Sequence, residues 1–133
     1  MQFSQIHHCS LAVQDLERAA ALCRDVLGLP EIAIPSTFPA AGLNVRWFQI
    51  GEQQIHLLLE SENHPPSGRH LALQVDDAQA ARTRLRAKGI DINEAVLIPG
   101  ADRFFVTDPD GNRIEIIEWK EAYVVLLVGE HLP

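Results

Sequence analysis

The chain has 133 residues, enough for one domain (1–133) with its own core. Its 47% hydrophobic content is that of an ordinary globular protein, and the formal net charge of −7 argues against nucleic acid or an anionic membrane surface as the main partner. Two cysteines, Cys9 and Cys23, imply no disulfide framework, the opening MQFSQIHHCS is not a signal peptide, and the apolar run Tyr123 to Val128 is far too short to span a bilayer. These features point to a cytoplasmic protein.

In chain order, Ile6 to Val13 reads as a strand. Asp15 then offers a helix N-cap, and Leu16, Ala19, Ala20, Cys23, Val26 and Leu27 recur at helical spacing until Gly28 and Pro30. Strand-like pieces follow at Ile32 to Ile34, Val45 to Ile50 and Gln54 to Glu60. Pro65-Pro66-Ser67-Gly68 is the strongest break. After it the order restarts: a strand over His70 to Val75, a helix capped by Asp76 or Asp77 and ended by Gly89, then strands over Ile90 to Ile98, Arg103 to Thr107 and the segment NRIEIIEW, entered through the turn Asp108-Pro109-Asp110-Gly111. Each half reads β-α-β-β-β, so the fold class is α+β, built from two duplicated modules at about 4–62 and 68–120, with a tail at 121–133.

The duplication can be checked residue by residue. His8 and His70 are each followed five residues on by a valine and seven on by an aspartate. IHLL, around His56, mirrors IEII, around Glu115. On the first strand of each half, the large apolar residues (Cys9, Leu11, Val13; Leu71, Leu73, Val75) share the face that should pack on the helix. The histidine shares the other face with small or polar residues. Two modules related by a pseudo-two-fold axis would gather His8, His56, His70 and Glu115 at one site, three imidazoles and a carboxylate suited to a divalent first-row metal. That arrangement would also explain why a carboxylate sits between Ile114 and Ile116, since a buried carboxylate needs a cation, donors or a metal.

The run His8 to Ala19 (HxxxAVxDLERA), Asp25 to Leu29 (DVLGL) and Asp108 to Glu118 (DPDGNRIEIIE) resembles the vicinal oxygen chelate superfamily, over roughly residues 5 to 119. The resemblance implies paired βαβββ modules forming an incomplete barrel around a metal, with ligands at His8, His70 and Glu115 and a fourth position at His56. Glyoxalase I usually carries glutamate at that fourth position and the epimerases carry glutamine. Bacterial glyoxalase I also tends to place arginine where this chain has Ala12, which puts glutathione dependence in doubt. A homodimer is likewise implied by resemblance, with the ligands supplied within one chain or shared between two.

The leading expectation is a metal-dependent lyase or isomerase of the glyoxalase I type, bound to a divalent ion (Zn, Ni, Co, Mn or Fe). It would act on a small molecule with vicinal oxygens, with Glu115 and His56 as its catalytic groups. An Fe(II) extradiol-type dioxygenase using His8, His70 and Glu115, and an antibiotic-binding resistance protein, are the alternatives. Of the remaining residues, His7 reads as structural, His64 and His131 as loop or tail residues, Arg82, Arg84 and Arg86 as a solvated helix face, and Arg103, at the start of its strand, as a solvated arginine, with reach to an anionic substrate as the alternative.

Overall fold

In the computed structural model, which describes residues 1–38, 44–62, 65, 67–122 and 129, the chain begins with β1 (His8–Val13). Asp15 then caps α1 (Leu16–Ala21), accepting the Arg18 N–H at 3.0 Å, and Glu17 adds a negative charge to the first turn. The helix widens into a π turn over Leu22–Val26, where the Leu27 N–H reaches Leu22 O at 2.9 Å. Gly28, at φ 72°, ends it. Three more strands follow: β2 (Glu31–Ile32), β3 (Val45–Ile50) and β4 (Gln53–Leu59).

The second half repeats this order. It contains β5 (His70–Gln74), α2 (Ala78–Ala87), β6 (Asn93–Glu94), β7 (Ala101–Thr107) and β8 (Arg113–Trp119). Asp77, rather than Asp76, is the N-cap of α2, accepting the Ala80 N–H at 2.8 Å. At the other end the Ile90 N–H bonds Leu85 O and the Gly89 N–H bonds Arg86 O, a Schellman stop that needs the positive φ of Gly89.

The first sheet runs β1-β4-β3-β2 and the second β5-β8-β7-β6, one order used twice. In the first, β1 lies parallel to β4, and the other pairs are antiparallel. The expected α+β class with duplicated βαβββ modules is therefore the observed architecture, in two open four-stranded sheets. Residues Met1–Leu71 and Thr107–Ile114 form one compact unit, and Ala72–Val106 with Glu115–Pro133 form the other.

In the first unit, alternation on the strands sends Val13, Phe48, Ile55 and Leu57 to the helix side, where they are buried with Ala19, Ala20 and Cys23. The Asp108–Asn112 turn is part of this unit. Asp108 Oδ1 accepts the N–H groups of Asp110 and Asn112, at 2.9 and 2.8 Å. The Asn112 side-chain amide donates to Ala12 O at 2.9 Å, and Asp110 Oδ1 accepts the Gln14 N–H at 2.7 Å. The turn that resembles the family signature is thus a clasp on the end of β1. Burial, followed by the charges of Asp108 and Glu31, pushes the Cys23 thiol up to about 11.

Three expectations need correcting. Of the expected Ile90 to Ile98 strand, Asn93–Glu94 forms a ladder with β7 and Ile98 makes a single bridge to Ala101 across the turn at Gly100, while Val96 and Leu97 between them lie exposed. Arg82 is not on a solvated face. It is buried with Ala78 and Leu85 on the inner stripe of α2, with its guanidinium 4.7 Å over the Phe104 ring and paired to Glu94 (2.9 Å) and Asp102 (2.7 Å). β7 begins at Ala101, two residues before the expected start at Arg103. The expectations for His64, His131 and the apolar run 123–128 fall outside the described residues.

Two outcomes follow from this packing. Removing the Arg82 guanidinium strands two carboxylates and uncovers Phe104, so Arg82→Ala should cost about 2–3 kcal/mol in urea unfolding, whereas Arg84→Ala should cost under about 0.5 kcal/mol. At pH 8 the Cys23 thiol should resist iodoacetamide in the native protein and react once urea unfolds it, as read by mass spectrometry of the alkylated peptides. Fast native labelling of Cys23 would contradict its burial.

Candidate functional site

The face of the first sheet opposite the helix carries the imidazoles. Parallel pairing sets His8 opposite Gln54 and Ser10 opposite His56, so His8 and His56 are diagonal neighbours on one face. Across the antiparallel ladder Trp47 stands directly opposite His56. The rings stack in a column. Trp47 lies parallel to His56, with centroids 4.0 Å apart and an interplanar angle of 1°. His8 stacks on the other side of His56 at 4.1 Å and 14°. Phe38 meets the indole edge-on at 5.7 Å, and His7 meets His8 edge-on at 5.3 Å.

This column buries His56, which is 6% exposed, while His8 remains exposed. Burial, then the positive charges available to His8 and His7, hold the His56 imidazole below its ordinary pKa, so it is neutral at pH 7. Its Nε2 donates to Gln54 Oε1 at 2.8 Å, and in a neutral ring this leaves Nδ1 as the acceptor. The Nδ1 of His7 lies 3.0 Å from His8 Nδ1.

His70 opens β5, belongs to the same unit and is exposed, with its Nδ1 2.9 Å from Gly68 O. It lines a cavity of about 440 Å³ together with Ser10, Ala12, Arg69 and Asn112. Cys9 also lines this cavity and is only partly buried, so it is not the core hydrophobe that Cys23 is.

Glu115 belongs to the second unit and is 7% exposed. Arg103 donates to it from Nη1 at 3.1 Å and sends Nη2 to Val96 O at 2.9 Å. Arg103 is therefore a half-buried partner of Glu115 rather than a solvated arginine, with a side chain only 18% exposed. The sequence carried a signal for this pair. A hairpin closing at Asp108 and Asn112 puts the odd-numbered residues of β7 and β8 on one face, which brings Arg103 and Glu115 to the same side.

The donor chemistry of these residues fits a divalent metal: neutral imidazoles and a carboxylate are ligand types for Zn, Ni, Co, Mn and Fe(II). With Nε2 engaged by Gln54, the lone pair of the neutral His56 ring is on Nδ1. Among the described residues no three His, Cys, Asp or Glu side chains stand grouped to hold an ion as they are. The stack shows one reason. Two nearly parallel imidazoles cannot aim their in-plane lone pairs at one point, so joint ligation by His8 and His56 requires the exposed His8 ring to turn out of the column.

The superfamily described as Glyoxalase/Bleomycin resistance protein/Dioxygenase matches residues 5–116. The chain is 34% identical to the lactoylglutathione lyase of Salmonella typhimurium, covering 86% of this chain and 93% of that one. It is 33% identical to the ethylmalonyl-CoA/methylmalonyl-CoA epimerase of Cereibacter sphaeroides, over 64% of this chain and 71% of that one. Among solved structures, a glyoxalase family protein from Bacillus anthracis superposes with a TM-score of 0.81 at 31% identity, covering 90% of this chain and 98% of that one. The fosfomycin resistance protein FosX of Listeria monocytogenes, solved in one form with Mn(II) and a dihydroxypropylphosphonic acid, shares the fold with a TM-score of 0.73 at 21% identity, covering 87% and 92%. With a duplicated βαβββ fold and a match over most of its length, this chain belongs to the Glyoxalase/Bleomycin resistance protein/Dioxygenase superfamily.

Proposed function

We propose that the chain is a divalent-metal-dependent enzyme of the glyoxalase I type, a lyase or isomerase acting on a small substrate with oxygens on neighbouring carbons. The observation that carries this reading is the adjacent His8–His56 imidazole pair on the open sheet face, in a chain 34% identical to a lactoylglutathione lyase over 86% of its length. The proposed ligands are His8, His56, His70 and Glu115. A bound ion would supply Lewis acidity toward the two substrate oxygens.

The remaining work falls to the protein. His56 is already neutral, so it can give its Nδ1 lone pair without first losing a proton. Glu115 is the group proposed to carry a proton between adjacent substrate carbons, and Arg103 at 3.1 Å fixes one of its oxygens meanwhile. The cavity beside Ser10, Ala12 and His70 is of a size for a small metabolite, and Arg69 in its wall is a cation available to an anionic substrate where Ala12 offers none. A cytoplasmic homodimer is the proposed working form.

Metal analysis of protein purified without added metal, followed by a hemithioacetal isomerisation assay, tests this. Zinc, nickel or cobalt with isomerase turnover is expected. Glu115→Gln should keep most of the metal and lose at least about 100-fold in turnover. Oxygen-sensitive iron with oxygen uptake on catechols would replace this reading with the dioxygenase. Wild-type turnover in Glu115→Gln would remove Glu115 from the mechanism.

A further inference from the structure

We infer that Trp47 and Gln54 are positioning residues that pre-set the His56 imidazole to present Nδ1 to a divalent metal. This rests on the reading of His56 as a ligand and assigns work to two residues that are not ligands themselves.

An imidazole held only by its Cβ turns about two side-chain torsions, and a metal selects one orientation of the ring plane and one of its two nitrogens. Trp47 settles the plane. Its indole lies 4.0 Å from the His56 ring at 1°, so rotation of the imidazole out of that plane would drive it into the indole. The indole is held in turn by the edge-on Phe38 ring and by its place opposite His56 on the β3–β4 ladder. Gln54 settles the nitrogen. Its Oε1 accepts from His56 Nε2 at 2.8 Å, which fixes the tautomer and leaves Nδ1 as the basic atom. His8 covers the opposite side of the His56 ring and is exposed, so it can leave the column while Trp47 and Gln54 stay in place. The two clamps lie on different strands, β3 and β4, and constrain different degrees of freedom.

The experiment is a Co(II) titration of the full metal-free chain, followed by visible absorption of the bound ion, in wild type and in Trp47→Ala, Trp47→Phe, Gln54→Ala and His56→Ala. Trp47→Ala and Gln54→Ala should each weaken Co(II) binding about tenfold and shift the ligand-field bands, the scale on which outer-shell partners act. Trp47→Phe, which restores a flat ring opposite His56, should recover most of the wild-type affinity and spectrum. Circular dichroism confirms folding, and if Trp47→Ala does not fold, Gln54→Ala and Trp47→Phe carry the test. Wild-type affinity in Trp47→Ala or Gln54→Ala, with His56→Ala weakened, would overturn the positioning role while leaving His56 a ligand. Equal losses in Trp47→Phe and Trp47→Ala would also overturn it. Unchanged binding in His56→Ala would overturn the ligand reading itself, and the inference with it.

Discussion

The register of β1 against β4 is the constraint on which the candidate site depends. Ser10 opposite His56 sends Val13, Ile55 and Leu57 to the helix and leaves His8 and His56 together on the other side. A slip of one residue would exchange every side chain on β1 between the two faces, exposing Val13 and burying His8 under α1. The core enforces the register, because fully burying one aliphatic side chain is worth about 1.5–3 kcal/mol and several are buried here at once. The imidazole pair is thus placed by hydrophobic packing that the imidazoles themselves take no part in.

Each half also uses one arginine to tie its helix to its short outer strand, with the charges reversed. In the first unit Arg46 on β3 reaches Glu31 on β2 and Glu17 on α1. In the second, Arg82 on α2 reaches Glu94 on β6 and Asp102 on β7. A cation on the strand meets an anion on the helix in one module, and the placement is inverted in the other. β2 and β6 are each only two residues long, and these charge clusters bind them where ladder hydrogen bonds are few. A duplicated backbone thus kept one architectural need and met it with different residues.

Much of this was legible in the sequence because it rests on local chemistry. The N-caps Asp15 and Asp77, the glycine stops, β3 and the repeated element order all carry short-range signals, and the parity of His8 correctly separated it from the helix-facing residues. The π turn was not legible, since helical periodicity carries no mark of one widened turn. Arg82 and Arg103 were misread for a shared reason. Charge alone says "solvent", and only the partners 12 or 20 residues away, Glu94, Asp102 and Glu115, show that burial is compensated. The stacking of Trp47 on His56 was likewise hidden, because it follows from the pairing of β3 with β4 and from nothing within either strand.

Imidazoles on this sheet face are proposed to hold a divalent ion. X-ray absorption on the nickel- or zinc-loaded protein tests it most directly, because imidazole rings leave a distinct multiple-scattering pattern around the metal. At least two imidazoles in the first coordination sphere, with one lost in His56→Ala, is the predicted result. A shell of oxygen atoms alone, unchanged by that substitution, would contradict it.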